Sequence, residues 1–224
     1  MDLFFLQAID TLPDGSMTQT TSMFELALKG GPVMIPIALC SVVGLYIFVE
    51  RYLTLQKASK IDENFMSNIR DFVMSDNIPA AKALCKQTNS PVARMIEKGI
   101  DRIGKPLRDI EASIENVGKM ELFKLERGIG ILATVAGLAP MLGFFGTVTG
   151  MVRAFYNMAN AGNNISVGLL SGGIYEALVT TVAGLAVGIP ALVCYNWLIG
   201  LIDKIVNKME ANSIEFIDLL QEPV

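Results

Sequence analysis

Hydrophobic positions in this chain collect into three long tracts that charged residues bound only at their ends. Glu50, Arg51, Arg127, Arg153, Glu176 and Asp203 fence off Pro32–Val49 (18 residues), Gly128–Val152 (25) and Ala177–Ile202 (26). At about 1.5 Å per residue these reach roughly 27 to 39 Å, the scale of a hydrocarbon core about 30 Å thick. The pattern predicts an all-α integral membrane protein with three transmembrane helices.

Between the first two tracts the apolar residues become periodic. Ile61, Phe65, Ile69 and Phe72 recur at helical spacing, as do Leu107, Ile110, Ile114 and Val117. Breaks fall near Asn77 to Pro79, at Ser90-Pro91 and at Gly104 to Pro106, where proline after a polar residue suits a helix start. No clear breaker separates Pro106 from Gly128, which predicts one helix running from this domain through the second span. Ile205, Met209, Phe216 and Leu220 carry the third helix past Asp203 in the same way. Near the start, Ser22 is placed to cap a short amphipathic helix, Met23 to Lys29, ending at Gly30 and Gly31 and lying at the outer interface. The expected layout is an outer segment over 1–31, a first span over 32–52 and an inside helical domain over 53–127. A second span over 128–154, a loop over 155–164, a third span over 165–202 and an inside C-terminal helix over 203–224 complete it.

Composition agrees and removes several chemistries. Hydrophobic residues make up 52% of the 224, so an ordinary water-soluble domain is a poor reading. There is no histidine to act as general base or imidazole ligand. Cys40, Cys85 and Cys194 lie in three separate segments without CxxC spacing, so neither a zinc site nor a disulfide framework is indicated. No GxxxxGK[ST] loop is present for a nucleotide phosphate. The expectation is no enzyme, no metal, no cofactor and, at a net charge of −4, no nucleic-acid partner.

Charge by segment sets an orientation. Arg51, Lys57, Lys60, Lys119, Lys124, Arg127, Lys204 and Lys208 lie near span ends on one side, against Lys29 and Arg153 on the other. The positive-inside rule then puts the N-terminus outside and both the 52–127 segment and the C-terminus inside. No signal peptide is evident, because Leu3 to Ile9 is short, interrupted by Gln7 and lacks a basic flank.

The spans differ in character. In the first, Ser41 is the one polar side chain, so it can face lipid. The second and third are rich in glycine and threonine, with GxxxG pairs at Gly146/Gly150 and Gly184/Gly188 and prolines at Pro140 and Pro190. Small residues let helix backbones approach where association depends on packing, which predicts a tight multi-helix assembly. Three spans cannot enclose a pore alone, so oligomerisation is expected.

Glu176 carries the sharpest functional expectation. A helix beginning near Asn164 or Ile165 puts it about eleven residues, or roughly 17 Å, along the axis and in mid-membrane. A helix beginning at Glu176 itself makes the carboxylate interfacial. In mid-membrane it costs at least about 2.5 to 3.5 kcal/mol on the insertion scale without a cavity or partner, so a function is the default and helix pinning the bland alternative. Thr180 is one turn on, whereas Thr181 lies about 140° around at 100° per residue; both border a lumen only if it is wide or filled by another helix. Thr147 on the second span is placed to complete a hydroxyl-lined path. For an isolated threonine, a bond to its own i−4 carbonyl is the simpler reading. One carboxylate with several hydroxyls suits a proton path better than an organic substrate site.

The residues Ala139-Pro140-Met141-Leu142-Gly143-Phe144-Phe145-Gly146-Thr147-Val148-Thr149-Gly150-Met151, then Ala154-Phe155, resemble the second-span signature of the ExbB/TolQ/MotA proton-channel family. Gly173-Ile174-Tyr175-Glu176-Ala177-Leu178, Thr181, Gly184-Leu185, Ile189-Pro190-Ala191 and Tyr195-Asn196 resemble its third span. Gly30-Gly31-Pro32-Val33-Met34 with Glu50-Arg51 is similar to its first. Three spans with an outside N-terminus look more like the ExbB and TolQ branches than the four-span flagellar stator.

That resemblance implies a homopentameric ring in a bacterial inner membrane, whose lumen holds ExbD-like single-span partners, each with a membrane aspartate. It implies Thr147, Thr181 and Glu176 at lumen-lining positions, with Thr180 an added hydroxyl and Tyr175 bulkier than the family's usual residue there. It further implies that proton flow energises outer-membrane transport through a TonB-like protein. A TolQ-like role in envelope integrity and division is the alternative within the family, and a non-conducting membrane scaffold is the alternative outside it.

Overall fold

The computed structural model describes residues 30–60, 62, 64–160 and 167–221, and among these every regular element is a helix. In chain order they are α1 (Met34–Ala58), α2 (Phe65–Met74), α3 (Ile78–Gln87), α4 (Pro91–Ile100), α5 (Leu107–Glu126), α6 (Ile129–Asn160) and α7 (Val167–Gln221). Three stretches are long and apolar enough to cross a membrane: α1, the α5–α6 stretch and α7. The outer helix expected over Met23 to Lys29 lies outside the described residues.

Local chemistry explains the small helices. The Asn77 side chain accepts from the Ala80 amide at 3.3 Å and Pro79 sits in the first turn of α3. Ser90 accepts from the Ala93 amide at 3.1 Å, with Pro91 as the first residue of α4. Both polar residues satisfy an otherwise orphan amide, and proline gives up an N–H the first turn does not need. The expected breaks therefore fall where the caps are.

Three boundaries differ from the sequence expectation. The predicted single helix from Pro106 through the second span is broken at Arg127-Gly128: Arg127 turns extended at ψ 127° and Gly128 adopts φ +84°. The Arg51 guanidinium lies so close to Gly128 that a Cβ there would stand 3.2 Å from its Nε. A left-handed residue is inexpensive only for glycine, so the interruption is written in a residue that read as the edge of an apolar tract. At the other end, residues 155–160, expected in the loop, continue α6, since Ala154-Phe155-Tyr156 contains no breaker. The first span likewise runs on as helix to Ala58, past the expected limit at 52.

α6 and α7 run antiparallel, and α1 packs beside both. Gly44 of α1 faces Val135 of α6, while the rings of Phe48 and Tyr52 meet Trp197 of α7 at centroid distances of 6.0 and 5.4 Å. Aromatic rings of this kind favour the membrane–water boundary. Helices α2 to α5 form a bundle, the inner domain of the sequence expectation, around the far end of α7. Phe216 is fully buried there, so close to Gly99 that a Cβ at 99 would approach its ring to 2.6 Å. α7 thus passes unbroken from the outermost described helix residues into the inner core.

Candidate functional site

The α6–α7 seam is built from small residues on a fixed antiparallel register. Gly143 stands opposite Gly184, Gly146 opposite Thr180, Gly150 opposite Ala177 and Gly173, and Pro140 opposite Gly188. A Cβ on Gly184 would lie 2.6 Å from the Ala139 carbonyl oxygen and 3.0 Å from the Gly143 Cα. The four predicted packing glycines all lie in this seam. Pro140 explains the last rung: without an N–H it cannot bond the Ala136 carbonyl, and Gly188 brings its backbone to within a Cβ distance of 3.1 Å from that oxygen. Pro190 lines the junction of the three spans with Cys40, Gly44 and Cys194.

The same register brings Thr147 and Thr181 together, with their hydroxyls in direct hydrogen-bond contact across the seam. Thr147 also donates to its own i−4 carbonyl, Gly143, and to the Ala177 carbonyl, both at 3.3 Å. Thr181 reaches across to the Gly143 carbonyl at 3.2 Å, and Thr180 stands 3.4 Å from the same oxygen. One main-chain carbonyl is therefore the focus of three hydroxyls. Thr134 and Thr149 show the bland alternative, each bonding only carbonyls of its own helix.

Thr147 and Thr181 are half-buried, on the edge of the seam. Thr180, expected beside them in the lining, is 1% exposed and fills the notch left by Gly146, with its hydroxyl turned to the Ala177 carbonyl at 2.8 Å. Within one chain it packs rather than lines.

Glu176 stands apart from the hydroxyls. Its Oε1 accepts from Arg153 Nη1 at 3.1 Å, and its carboxylate lies against Gly31, where a Cβ would overlap it. Gly31 has φ +68°, so glycine is required there on two counts. Glu176 and Thr181 are about 140° apart around α7, and the packed residues Ala177 and Gly184 fall between them. Glu176 thus occupies the flank that α7 shares with α1, and Thr181 the opposite flank.

Its height is fixed relative to α1. α7 begins by Val167, close to the predicted start, but Glu176 is level with Gly31, three residues before α1 begins. Twenty-one residues, or roughly 32 Å, separate it from Trp197 in the aromatic cluster. That is about one hydrocarbon thickness. The tip of α7 extends beyond the start of α1. Thr181 is five residues, about 7.5 Å, further in.

Arg153, Gly31 and the Gly143 carbonyl were not singled out as site groups from sequence. Arg153 had read as a span boundary, and only the α6–α7 register reveals that it reaches Glu176. Among the described residues no cluster of three metal-ligating side chains converges.

A model of the MotA/TolQ/ExbB proton channel family matches residues 87–211, a stretch that holds α6, most of α7 and every hydroxyl above. The chain is similar to an ExbB-like biopolymer transport protein of Synechocystis sp., at 29% identity over 187 residues, covering 83% of this chain and 74% of the relative. It is similar to an ExbB homolog of Methanothermobacter thermautotrophicus at 30% over 191 residues, covering 84% and 67%. The biopolymer transport protein ExbB of Salmonella typhimurium is 30% identical over 181 residues, covering 73% and 70%.

Proposed function

The chain belongs to the MotA/TolQ/ExbB proton channel family, and from that membership we propose that it is the channel-forming subunit of an ExbB-like inner-membrane motor. In this reading five copies form a ring, with the N-terminus outside and the C-terminus inside. The lumen holds an ExbD-like single-span partner whose membrane aspartate exchanges protons with the ring. Through a TonB-like protein the work reaches outer-membrane transport.

The observation that carries the reading is the Thr147–Thr181 hydroxyl pair on the Gly143 carbonyl. Hydroxyls both donate and accept, so the pair can pass a hydrogen-bonded proton along without holding a fixed charge in the apolar layer. It lies on the α7 flank away from α1, the side left for a central lumen when α1 packs outside. The electrical part of the gradient supplies about 2.3 kcal/mol per charge per 100 mV, enough to bias a packed two-state interface. Glu176, nearer the outer edge, is the proton's outer station.

The test is proton flux into liposomes holding the chain with its single-span partner. Wild type should conduct, Thr147→Val and Thr181→Val should lose most of the flux with the ring intact, and Glu176→Gln should reduce it. Wild-type rings that assemble but do not conduct would favour the scaffold reading. Unchanged flux in Glu176→Gln would remove that carboxylate from the path.

A further inference from the structure

Three elements converge on one carboxylate at the outer edge. Glu176 comes from α7, Arg153 from α6, and Gly31 from the turn that leads into α1. The Gly31 backbone leaves no room for a side chain between itself and the carboxylate, and its left-handed conformation suits glycine. The Glu176 side chain is 26% exposed and that of Arg153 56%. The hydroxyl pair of the proposed path lies on the other flank of the seam, and a path that includes Glu176 still gives Arg153 no role.

We propose that Arg153 is a positioning residue: its ion pair latches Glu176 against the start of α1 and holds that end of the three spans together. A charge-assisted hydrogen bond between guanidinium and carboxylate is the stronger kind, and here it joins side chains from two helices while the carboxylate rests on the turn before the third. Below the pair, Gly150, Ala154, Gly173 and Ala177 pack closely across the seam. The latch is a statement about these three residues and stands apart from the proton-carrying reading.

The experiment is amide hydrogen exchange of the intact complex in nanodiscs, read over 150–160 and 168–176. Arg153→Gln and Glu176→Gln should each speed exchange there about fivefold, the effect of losing one partly exposed pair. Their combination should add little beyond either alone, because both remove the same contact. Arg153→Lys should stay near wild type, and the exchanged pair Arg153→Glu with Glu176→Arg should regain protection. Unchanged exchange in both single variants, or additive effects in the double, would overturn the latch. Proton flux is read on the same samples. Wild-type complex that fails to conduct defeats the proposed function, while the exchange data still decide the latch.

Discussion

Glu176 and Thr181, five residues apart on one helix, face opposite flanks of the same seam: the carboxylate meets Arg153 and Gly31, the hydroxyl meets Thr147. The 140° expected between them around the helix thus puts them on different faces of the packed pair, about 7.5 Å apart in height.

The hydroxyl pair predicts a specific mutational pattern. Thr147→Val or Thr181→Val keeps the shape and removes about one hydrogen bond, near 1 kcal/mol, so flux should fall roughly five- to tenfold at unchanged ring size. The double variant should be little worse than either single, since each already breaks the pair. Liposome flux alongside native mass of the complex checks both statements; a dissociated ring would make the threonines packing residues instead.

Gly184→Ala should be severe. Its Cβ meets the Ala139 carbonyl at 2.6 Å and the Gly143 Cα at 3.0 Å, both backbone, so the helices must separate at a cost of about 1 to 3 kcal/mol. Gly137→Ala, with nothing within 4 Å in the chain, should be neutral or stabilising by up to about 1 kcal/mol from helix propensity. Thermal melts of the two variants in the same detergent separate the cases.

The inner domain carries its own acid sensitivity. Glu121 is buried; burial alone would raise its carboxyl, but hydrogen bonds from Arg94 at 2.7 Å and Lys124 at 2.7 Å outweigh that and hold it below the usual carboxylate range. A carboxyl lowered in the folded state contributes stability above its unfolded value, near 4.3, and loses it as pH falls through the folded value. Melting temperature should therefore drop from about pH 5 downward, and less steeply in Glu121→Gln. Equal slopes for the two proteins would assign the acid loss to other carboxylates.

Cys85 should be silent to thiol reagents in the folded protein. Burial, with Glu97 adding to it, pushes its thiol up to about 12, so almost no thiolate exists at pH 8. Maleimide labelling at Cys85 should appear only when the inner domain unfolds, which peptide mapping after a denaturant series will detect.

How much of this was legible beforehand follows from the range of each signal. The caps at Asn77 and Ser90 and the long apolar tracts act within a few residues, so sequence located them. The GxxxG pairs pointed to close packing for the same reason. The Arg153–Glu176 pair, the shared Gly143 carbonyl and the burial of Thr180 depend on the register between α6 and α7, which no local pattern encodes. The level of Glu176 beside Gly31 likewise depends on how α7 and α1 are staggered, a tertiary quantity. The break at Gly128 rests on a single backbone angle in a helix where glycines are frequent.

The unbroken length of α7 has a mechanical meaning. Its backbone is pressed against Ala139 and Gly143 at Gly184, which can serve as a fulcrum. Eight residues toward one end lies Glu176, and 32 residues toward the other lies Phe216, fully buried against Gly99. The arms are about 12 and 48 Å, and Pro190 lies in the longer one, where the missing backbone hydrogen bond lets the helix bend. One helix therefore ties the Glu176 end of the seam to the bundle around Phe216, with its natural point of flexure between them.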